Sequence, residues 1–394
     1  MTSTSHPYKA TMTSKLFTPF SLRSLTFPNR VVIAPMCMYS ARDGMTNDFH
    51  FVHYGRLALG GAGAVIVEAT AVQPRGRITH GDLGLWSDEQ VPGLARIAAF
   101  LKSHGAVAGI QLAHAGRKAS MQRPWHGNGP LNQDDFDRKE VPWEVFASSP
   151  DPVSDGWLVP KEMSLDDIAA LKEDFRSAAA RALQAGYDFL ELHCAHGYLM
   201  HSFLSPLINR RTDAYGGNRE GRMKLPLEIA AILRDAWPAD RPVFLRVSAV
   251  DNVEGGWGID DTVAFAQALR DIGIDVLDCS SGGVASGAIS ALGPREYGYQ
   301  VGFAQAVRSR AGMPTMAVGL ILDPEHAEEI VAEGQADLVA IGREALNNPN
   351  WPTHARAQLE EQGRRNFDAW FPQFGWWLQR RAATLEKIKP WRKQ

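Results

Sequence analysis

The sequence predicts a single (β/α)8 barrel, a TIM barrel, with a hairpin in front of it and long loops after its third and fourth strands. Eight short apolar runs alternate with helix-like amphipathic segments, and no change of composition interrupts this rhythm over the 394 residues. No Gly-x-Gly-x-x-Gly turn follows the first run. A doubly wound sheet is the alternative fold, and it is disfavoured by the count of eight and by the missing glycine turn.

The first four strands begin after a small hairpin, which is predicted between Phe17 and Arg30. These strands are predicted at residues 30–36, 64–70, 107–113 and 187–192, and the helices between them at 48–59, 88–104 and 164–186. Ser164 followed by Asp167 is a typical helix N-cap pattern, and Gly186 is suited to ending that helix.

The last four strands are predicted at residues 243–248, 275–280, 314–319 and 337–342. Their helices are predicted at 219–236, 260–272, 302–311 and 324–333, and a final helix leads to an aromatic segment at 370–377. Two long connections, 119–163 and 203–217, interrupt the regular spacing. A long excursion inside a compact domain is usually functional, so we expect the first of them to be a lid over a site.

Composition limits the classes of function. The net charge is −3 with both signs interspersed, which indicates neither a nucleic-acid partner nor an anionic membrane. The three cysteines, Cys37, Cys194 and Cys279, form no C-x-x-C pair, so no disulfide framework, iron–sulfur cluster or structural zinc site is expected. No apolar run is long enough to span a bilayer. We expect a cytoplasmic protein with a loose tail at 1–14, a barrel at 15–360 and an extension at 361–394.

The segment Glu191–Tyr198 carries the densest potential chemistry. Side chains alternate along a strand, so Glu191 and His193 lie on one side of the fourth strand. His196 and Tyr198 follow within two residues of Gly197. Two imidazoles and a phenol at the mouth of a strand can hold a polar oxygen and deliver a proton beside it. A structural histidine and a His-x-x-His metal pair are the alternatives.

Other strand ends indicate an anionic, planar ligand, because catalytic groups of such barrels gather at the carboxyl ends of the strands. Gln111 and Arg246 offer an amide and a cation that suit the pyrimidine edge of a flavin. Gly319, Gly342 and Arg343 suit a phosphate. We expect Arg246 to need an anionic partner in the barrel. No carboxylate pair is evident at these ends, which argues against a metal hydrolase and a glycosidase.

Five motifs together resemble the Old Yellow Enzyme family of FMN-dependent ene-reductases. They are Asn29–Tyr39, Gln111–Lys118, His193–Leu199, Asn209–Gly217 and Ile341–Arg343, and the resemblance runs from about Leu16 to Asn347. Cys37 with Tyr39, and two histidines where other members have His and Asn, are similar to the thermophilic-like branch of that family.

The resemblance implies a role for each matching residue. FMN would be held by Ala34, Pro35, Met36, Cys37, Ala69, Gln111, Arg246, Gly319, Gly342 and Arg343. His193 and His196 would bind a substrate carbonyl oxygen, Tyr39 would add a hydrogen bond, and Tyr198 would protonate the α-carbon of an activated alkene. The reductant would be NADPH or NADH. Arg380 resembles an arginine that a neighbouring subunit contributes to the site, which implies a homodimer or homotetramer.

Three other functions compete with this one. Amine dehydrogenases and dienoyl-CoA reductases share the barrel but carry an iron–sulfur cluster, which the cysteine spacing here does not supply. A flavin-binding redox sensor built on Cys37, or a dehydrogenase with a different acceptor, would bind FMN without reducing alkenes. A metal hydrolase built on His193 and His196 would bind zinc and be colourless.

Overall fold

Eight parallel strands close into a barrel in the computed structural model, which describes residues 14–284, 295–360, 367–389 and 391. The strands are Val31–Ile33, Ala64–Ala71, Val107–Ala113, Phe189–Cys194, Val243–Ser248, Val276–Ser280, Thr315–Val318 and Leu338–Ile341. Each strand pairs with the next one along the chain, and the eighth pairs with the first. The predicted TIM barrel is confirmed. A short strand, Leu83–Gly84, adds to the second barrel strand at the rim.

Helices follow the strands and cover the outside of the barrel. They are Asp48–Ala58, Val91–Ser103, Leu165–Gln184, Leu199–Leu204, Arg219–Ala236, Ile259–Ile272, Val301–Ala311, Pro324–Ala332, Arg343–Asn347, Trp351–Glu360 and Pro372–Leu385. The Ser164 hydroxyl accepts a hydrogen bond from the Asp167 amide, which confirms the N-cap predicted for the third of these helices. No helix in the described ranges has the length and apolarity that a bilayer crossing requires.

An antiparallel hairpin, Phe20–Leu22 with Leu25–Phe27, closes the amino-terminal end of the barrel, as the sequence predicts. Phe27 is fully buried, and its ring lies 5.8 Å from that of Phe189 and 6.1 Å from that of Phe244. These two phenylalanines stand at the starts of the fourth and fifth strands. Because aromatic side chains pack this end of the barrel, a ligand site is expected at the carboxyl ends of the strands.

Two strands differ from their predicted bounds by more than one residue. The first ends at Ile33, because Pro35 lacks the N–H group that would continue the ladder. The fourth begins at Phe189, because the Tyr187 amide still bonds the Ala182 carbonyl in the turn after the preceding helix. Cys194 and Cys279 are fully buried in the hydrophobic core.

The connection 119–163 contains short regular elements that the sequence did not reveal. It includes the helix Gln133–Asp137 and a two-residue parallel pairing of Phe146–Ala147 with Lys161–Glu162. Both are too short for periodicity to show. Residues 1–13 of the expected tail lie outside the described range, and the Ser14 hydroxyl donates to Glu328. Of the expected extension, residues 361–366, 390 and 392–394 also lie outside it.

Candidate active site

Three rings meet at the carboxyl end of the fourth strand. The ring centroid of His193 lies 5.2 Å from that of His196 and 5.1 Å from that of Tyr198, and both pairs are nearly perpendicular. The Ala195 amide donates to Nδ1 of His193 at 3.2 Å, which leaves the ring proton on Nε2. Burial and the positive charge of Arg246 hold the pKa of both imidazoles well below the usual 6.5. Both rings are therefore neutral at physiological pH.

The turn that carries His196 adopts a strained conformation. His196 has a φ of 61°, in the left-handed region that a residue with a side chain rarely adopts, and Gly197 follows at 76°. Ser248 Oγ accepts from the His196 amide at 2.9 Å, and Ser280 Oγ lies 2.7 Å from the ring Nε2. The Lys118 ammonium donates to the His196 carbonyl at 2.7 Å. These three contacts hold the turn in its strained conformation.

Tyr198 shares a hydrophobic cluster with Cys37 and Tyr39. Burial raises the pKa of both phenols above the usual 10, and nearby Cys37 raises both further, so both stay protonated at neutral pH. Burial also raises the pKa of the Cys37 thiol. Trp143, from the long connection, packs in the same cluster, and the ring of Trp125 lies 6.1 Å from that of Tyr39.

Glu68 supports the segment that carries Cys37 and Tyr39, a role that the sequence did not suggest. Its carboxylate accepts from the Met38 amide at 2.8 Å and from the Tyr54 hydroxyl at 3.0 Å. Its side chain is fully buried, and this burial raises its pKa to about 8. Tyr39, one residue beyond Met38, has a φ of 48°. The carboxyl group of Glu68 thus holds another left-handed turn at the site.

A cleft of about 270 Å³ lies beside these rings. Seven of the ten residues predicted to hold FMN line it, namely Ala34, Pro35, Met36, Arg246, Gly319, Gly342 and Arg343. Ser280, which contacts His196, lines it as well, so the cleft and the three rings adjoin. Of the other three residues, Cys37 packs near Tyr39, and Ala69 lines a much smaller cavity with Tyr198. Gln111 lies buried in the third strand.

Four polar side chains form a buried layer in the barrel. Gln111 donates to Glu191 at 2.7 Å, and Arg246 Nε lies 3.2 Å from an Asp278 oxygen. Strand register explains the grouping, because Gln111 pairs with Glu191 and Arg246 pairs with Asp278 across neighbouring strands. Burial raises the pKa of Glu191 to about 8 and also raises that of Asp278. Two acidic side chains thus lie near one guanidinium, and burial favours the protonated form of each.

This layer bears on two expectations. Arg246 has an anionic partner within the barrel, as expected, because an Asp278 oxygen lies 3.2 Å from its Nε. The expectation about carboxylates concerned the strand ends, and Glu191 and Asp278 lie one layer below those ends. Arg246 Nε, one Glu191 oxygen and both Asp278 oxygens find no hydrogen-bond partner among the described residues. Unsatisfied buried groups under an open cleft fit a polar, planar ligand such as the flavin ring.

Arg380 is exposed in the helix Pro372–Leu385 and is not among the described residues that line the cleft. Its guanidinium lies 4.0 Å from the ring centroid of Trp376, in the same helix. Within the described ranges, no group of three or more His, Cys, Asp or Glu side chains is arranged to hold a metal ion.

Comparison with known proteins identifies the family. The model of the NADH:flavin oxidoreductase / NADH oxidase family matches residues 15–362. The chain belongs to this family, the Old Yellow Enzyme family. It is 43% identical over 353 residues to an NADPH dehydrogenase of Bacillus subtilis, covering 89% of this chain and 97% of the relative. An NADPH dehydrogenase of Listeria monocytogenes is 45% identical over 350 residues, covering 88% and 96%.

Solved structures agree with this assignment. Morphinone reductase superposes with a TM-score of 0.73 at 27% identity, covering 89% of this chain and 91% of that one. The protein is therefore an FMN-dependent oxidoreductase that uses a nicotinamide reductant, as the family and its NADPH dehydrogenases indicate.

Proposed function

We propose that this oxidoreductase is an ene-reductase that reduces the C=C bond of α,β-unsaturated carbonyl compounds. The observation that carries the proposal is the cluster of two neutral imidazoles and a protonated phenol, in which the ring of His193 contacts those of His196 and Tyr198, at the rim of the cleft. This set can bind a carbonyl oxygen and protonate a neighbouring carbon at neutral pH.

The flavin would occupy the cleft with its polar ring edge over the buried layer. Gln111 and Arg246 would bind the pyrimidine edge, while Gly319, Gly342 and Arg343 would bind the phosphate. Ala34 to Cys37 and Ala69 would line the ring. Bound FMN supplies hydride transfer, from NADPH and then to the β-carbon of the alkene. The buried Glu191 and Asp278 would hold Gln111 and Arg246 in place for this contact.

The substrate would bind through its carbonyl oxygen. His193 presents an Nε2–H donor, since its Nδ1 accepts from the Ala195 amide. His196 would be the second donor, and Tyr39 would add a hydrogen bond. Negative charge develops on that oxygen during reduction, so fixed donors in a buried site stabilise the transition state. Tyr198 would then give its proton to the α-carbon, because its raised pKa keeps it protonated.

A redox sensor built on Cys37 is the competing function. A sensor cysteine needs thiolate character, and burial here raises the pKa of the Cys37 thiol. We therefore favour a role for Cys37 beside the flavin ring.

The C-terminal extension would join a second copy in a homodimer or homotetramer, with Arg380 reaching the neighbouring site. Trp376 and Trp377, in the same helix, are 50% and 67% exposed. An exposed aromatic surface of this kind suits a protein interface.

Isotope placement tests the proposed reaction directly. 2-Cyclohexenone is reduced once in H₂O with NADPH that carries deuterium at its hydride-donating carbon, and once in D₂O with unlabelled NADPH. The cyclohexanone product is analysed by NMR. We expect the cofactor deuterium at the β-carbon and the solvent deuterium at the α-carbon. An enzyme that oxidises NADPH without consuming the enone would exclude the proposal.

A further inference from the structure

A buried His–Asp pair lies directly behind the turn that carries His196 and Tyr198. His201 stands in the short helix Leu199–Leu204, and Asp251 follows the fifth barrel strand. Both side chains are fully buried. Nε2 of His201 lies 2.7 Å from Asp251 Oδ1, and Nδ1 of His201 accepts from the Gly197 amide at 2.8 Å.

These contacts fix the tautomer of His201. Because Nδ1 accepts the Gly197 amide proton, the ring proton is on Nε2 and is donated to Asp251. The other Asp251 oxygen accepts from Ser205 Oγ at 2.6 Å and from the Trp257 amide at 2.8 Å. Burial acts to raise the pKa of Asp251, but these hydrogen bonds hold it below its usual value. The carboxylate is thus charged and oriented from three sides.

Gly197 is the point at which this pair meets the site. It lies between His196 and Tyr198 and has a φ of 76°. A Cβ at this position would come within 2.1 Å of the Gly283 carbonyl oxygen, so the backbone has no room to shift in that direction. The direction of the Gly197 peptide therefore decides where both neighbouring side chains point.

We infer that His201, whose ring Asp251 orients, is a positioning residue for the reaction. It anchors the Gly197 amide and thereby fixes the distance between the imidazole of His196 and the hydroxyl of Tyr198. This inference rests on the proposed function, in which these two groups bind the carbonyl oxygen and donate the proton. A carbonyl oxygen and its α-carbon are two bonds apart, so the two groups must hold a matching separation.

Simple space filling does not explain the pair. Burying a carboxylate and an imidazole is costly, and apolar side chains of similar volume would stabilise a core at least as well. The pair instead accepts an amide proton that would otherwise be buried without a partner, in a turn where two consecutive residues are left-handed.

Two variants of His201 separate its two hydrogen bonds. His201→Asn keeps an acceptor near the position of Nδ1 for the Gly197 amide and loses the donor to Asp251. His201→Gln keeps a donor near the position of Nε2 and loses the acceptor. Each holoenzyme is assayed for kcat and KM with 2-cyclohexenone, and for the oxidation of its reduced flavin by ferricyanide. Ferricyanide serves as the control acceptor, because its reduction requires neither a hydrogen bond to a carbonyl oxygen nor the protonation of a carbon atom.

We expect His201→Gln to lower kcat with the enone by about tenfold or more, with KM changed less, because a misplaced catalytic group costs turnover. Its FMN content and ferricyanide rate should match the wild type. His201→Asn should keep kcat within about threefold. Equal enone rates in both variants, whether low or unchanged, would overturn the inference, as would a parallel loss with ferricyanide.

Hydrogen exchange of the segment 195–199, followed by mass spectrometry, gives a readout without enone. Exchange that is faster in His201→Gln than in His201→Asn supports the anchoring of Gly197, and equal exchange in the two variants overturns it. If the wild type reduces no enone but the two variants differ in exchange, the proposed function is refuted and the anchoring of Gly197 stands. If the wild type reduces the enone but the two variants exchange equally, the anchoring is refuted and the proposed function stands.

Discussion

Loss of the Nε2–H donor of His193 should damage turnover more than loss of the Tyr198 hydroxyl. His193 is 5% exposed, and its neutral ring has one donor, because Nδ1 is occupied by the Ala195 amide. A preorganised donor to a developing oxyanion contributes roughly 2.7–4 kcal/mol. His193→Ala should therefore lower kcat/KM for 2-cyclohexenone by about 10²–10³-fold. Tyr198→Phe should cost less, since water can replace a proton donor.

The assay compares the oxidative half-reaction of each variant with 2-cyclohexenone and with ferricyanide in stopped flow. His193→Asn is the matched variant, because it keeps an acceptor for the Ala195 amide and lacks the Nε2–H donor. It should resemble His193→Ala with the enone and the wild type with ferricyanide. Equal losses in the His193 and Tyr198 variants, or a greater loss in Tyr198→Phe, would refute the division of roles.

Three further predictions concern the surroundings of the site. Arg246→Met leaves Glu191 and Asp278 without their cation, so FMN content after purification and the melting temperature should both fall, and an unchanged FMN content would contradict the assignment. Gly319→Ala should weaken FMN binding, measured by fluorescence titration, because φ is 120° and a Cβ would lie 2.8 Å from Gln300. The pKa of Glu68 is raised from 4.5 to about 8, so folding takes up a proton at pH values between these two. The free energy of unfolding of the wild type, relative to that of Glu68→Gln, should therefore fall as pH rises from 5 to 8. Urea unfolding measures this difference in free energy, which should fall by at most about 1.4 kcal/mol per pH unit. A difference that rises with pH would contradict the pKa shift.

Local patterns were sufficient to predict the barrel. Each strand is a short apolar run, and several helices begin at a side-chain N-cap such as Asn47 or Ser164, so the order of elements can be read without knowing any long-range contact. The fold alone places the functional site at the carboxyl ends of the strands, which is why His193, His196 and Tyr198 were predicted together. The bounds that failed depend on single hydrogen bonds, such as the one from the Tyr187 amide to Ala182.

Contacts between distant segments were beyond the sequence. Glu191 and Asp278 meet because each is in register with a neighbour on adjoining strands, and register is set by the closed barrel. His201 and Asp251 are 50 positions apart and meet only in the folded core. The sequence does contain one signal for the contact between His201 and the Gly197 amide. His201 is four residues after Gly197, and one helical turn brings them together.

Backbone strain was equally hidden. Tyr39 and His196 both have left-handed φ values, a region that residues other than glycine rarely adopt. Contacts from Glu68, Lys118 and Ser248 with the surrounding backbone hold these turns, and no single stretch of sequence carries them. Strain of this kind is typical of functional sites, and here it occurs at two residues that were predicted to bind substrate.

The visible spectrum of the purified protein, followed anaerobically through two additions, tests the proposed activity most directly. We expect a yellow protein that bleaches when NADPH is added and regains its colour when 2-cyclohexenone follows. A protein that bleaches with NADPH but stays bleached with the enone would contradict the proposed reduction of alkenes and favour a different acceptor. A colourless protein that cannot be reconstituted with FMN would contradict the assignment of the cleft.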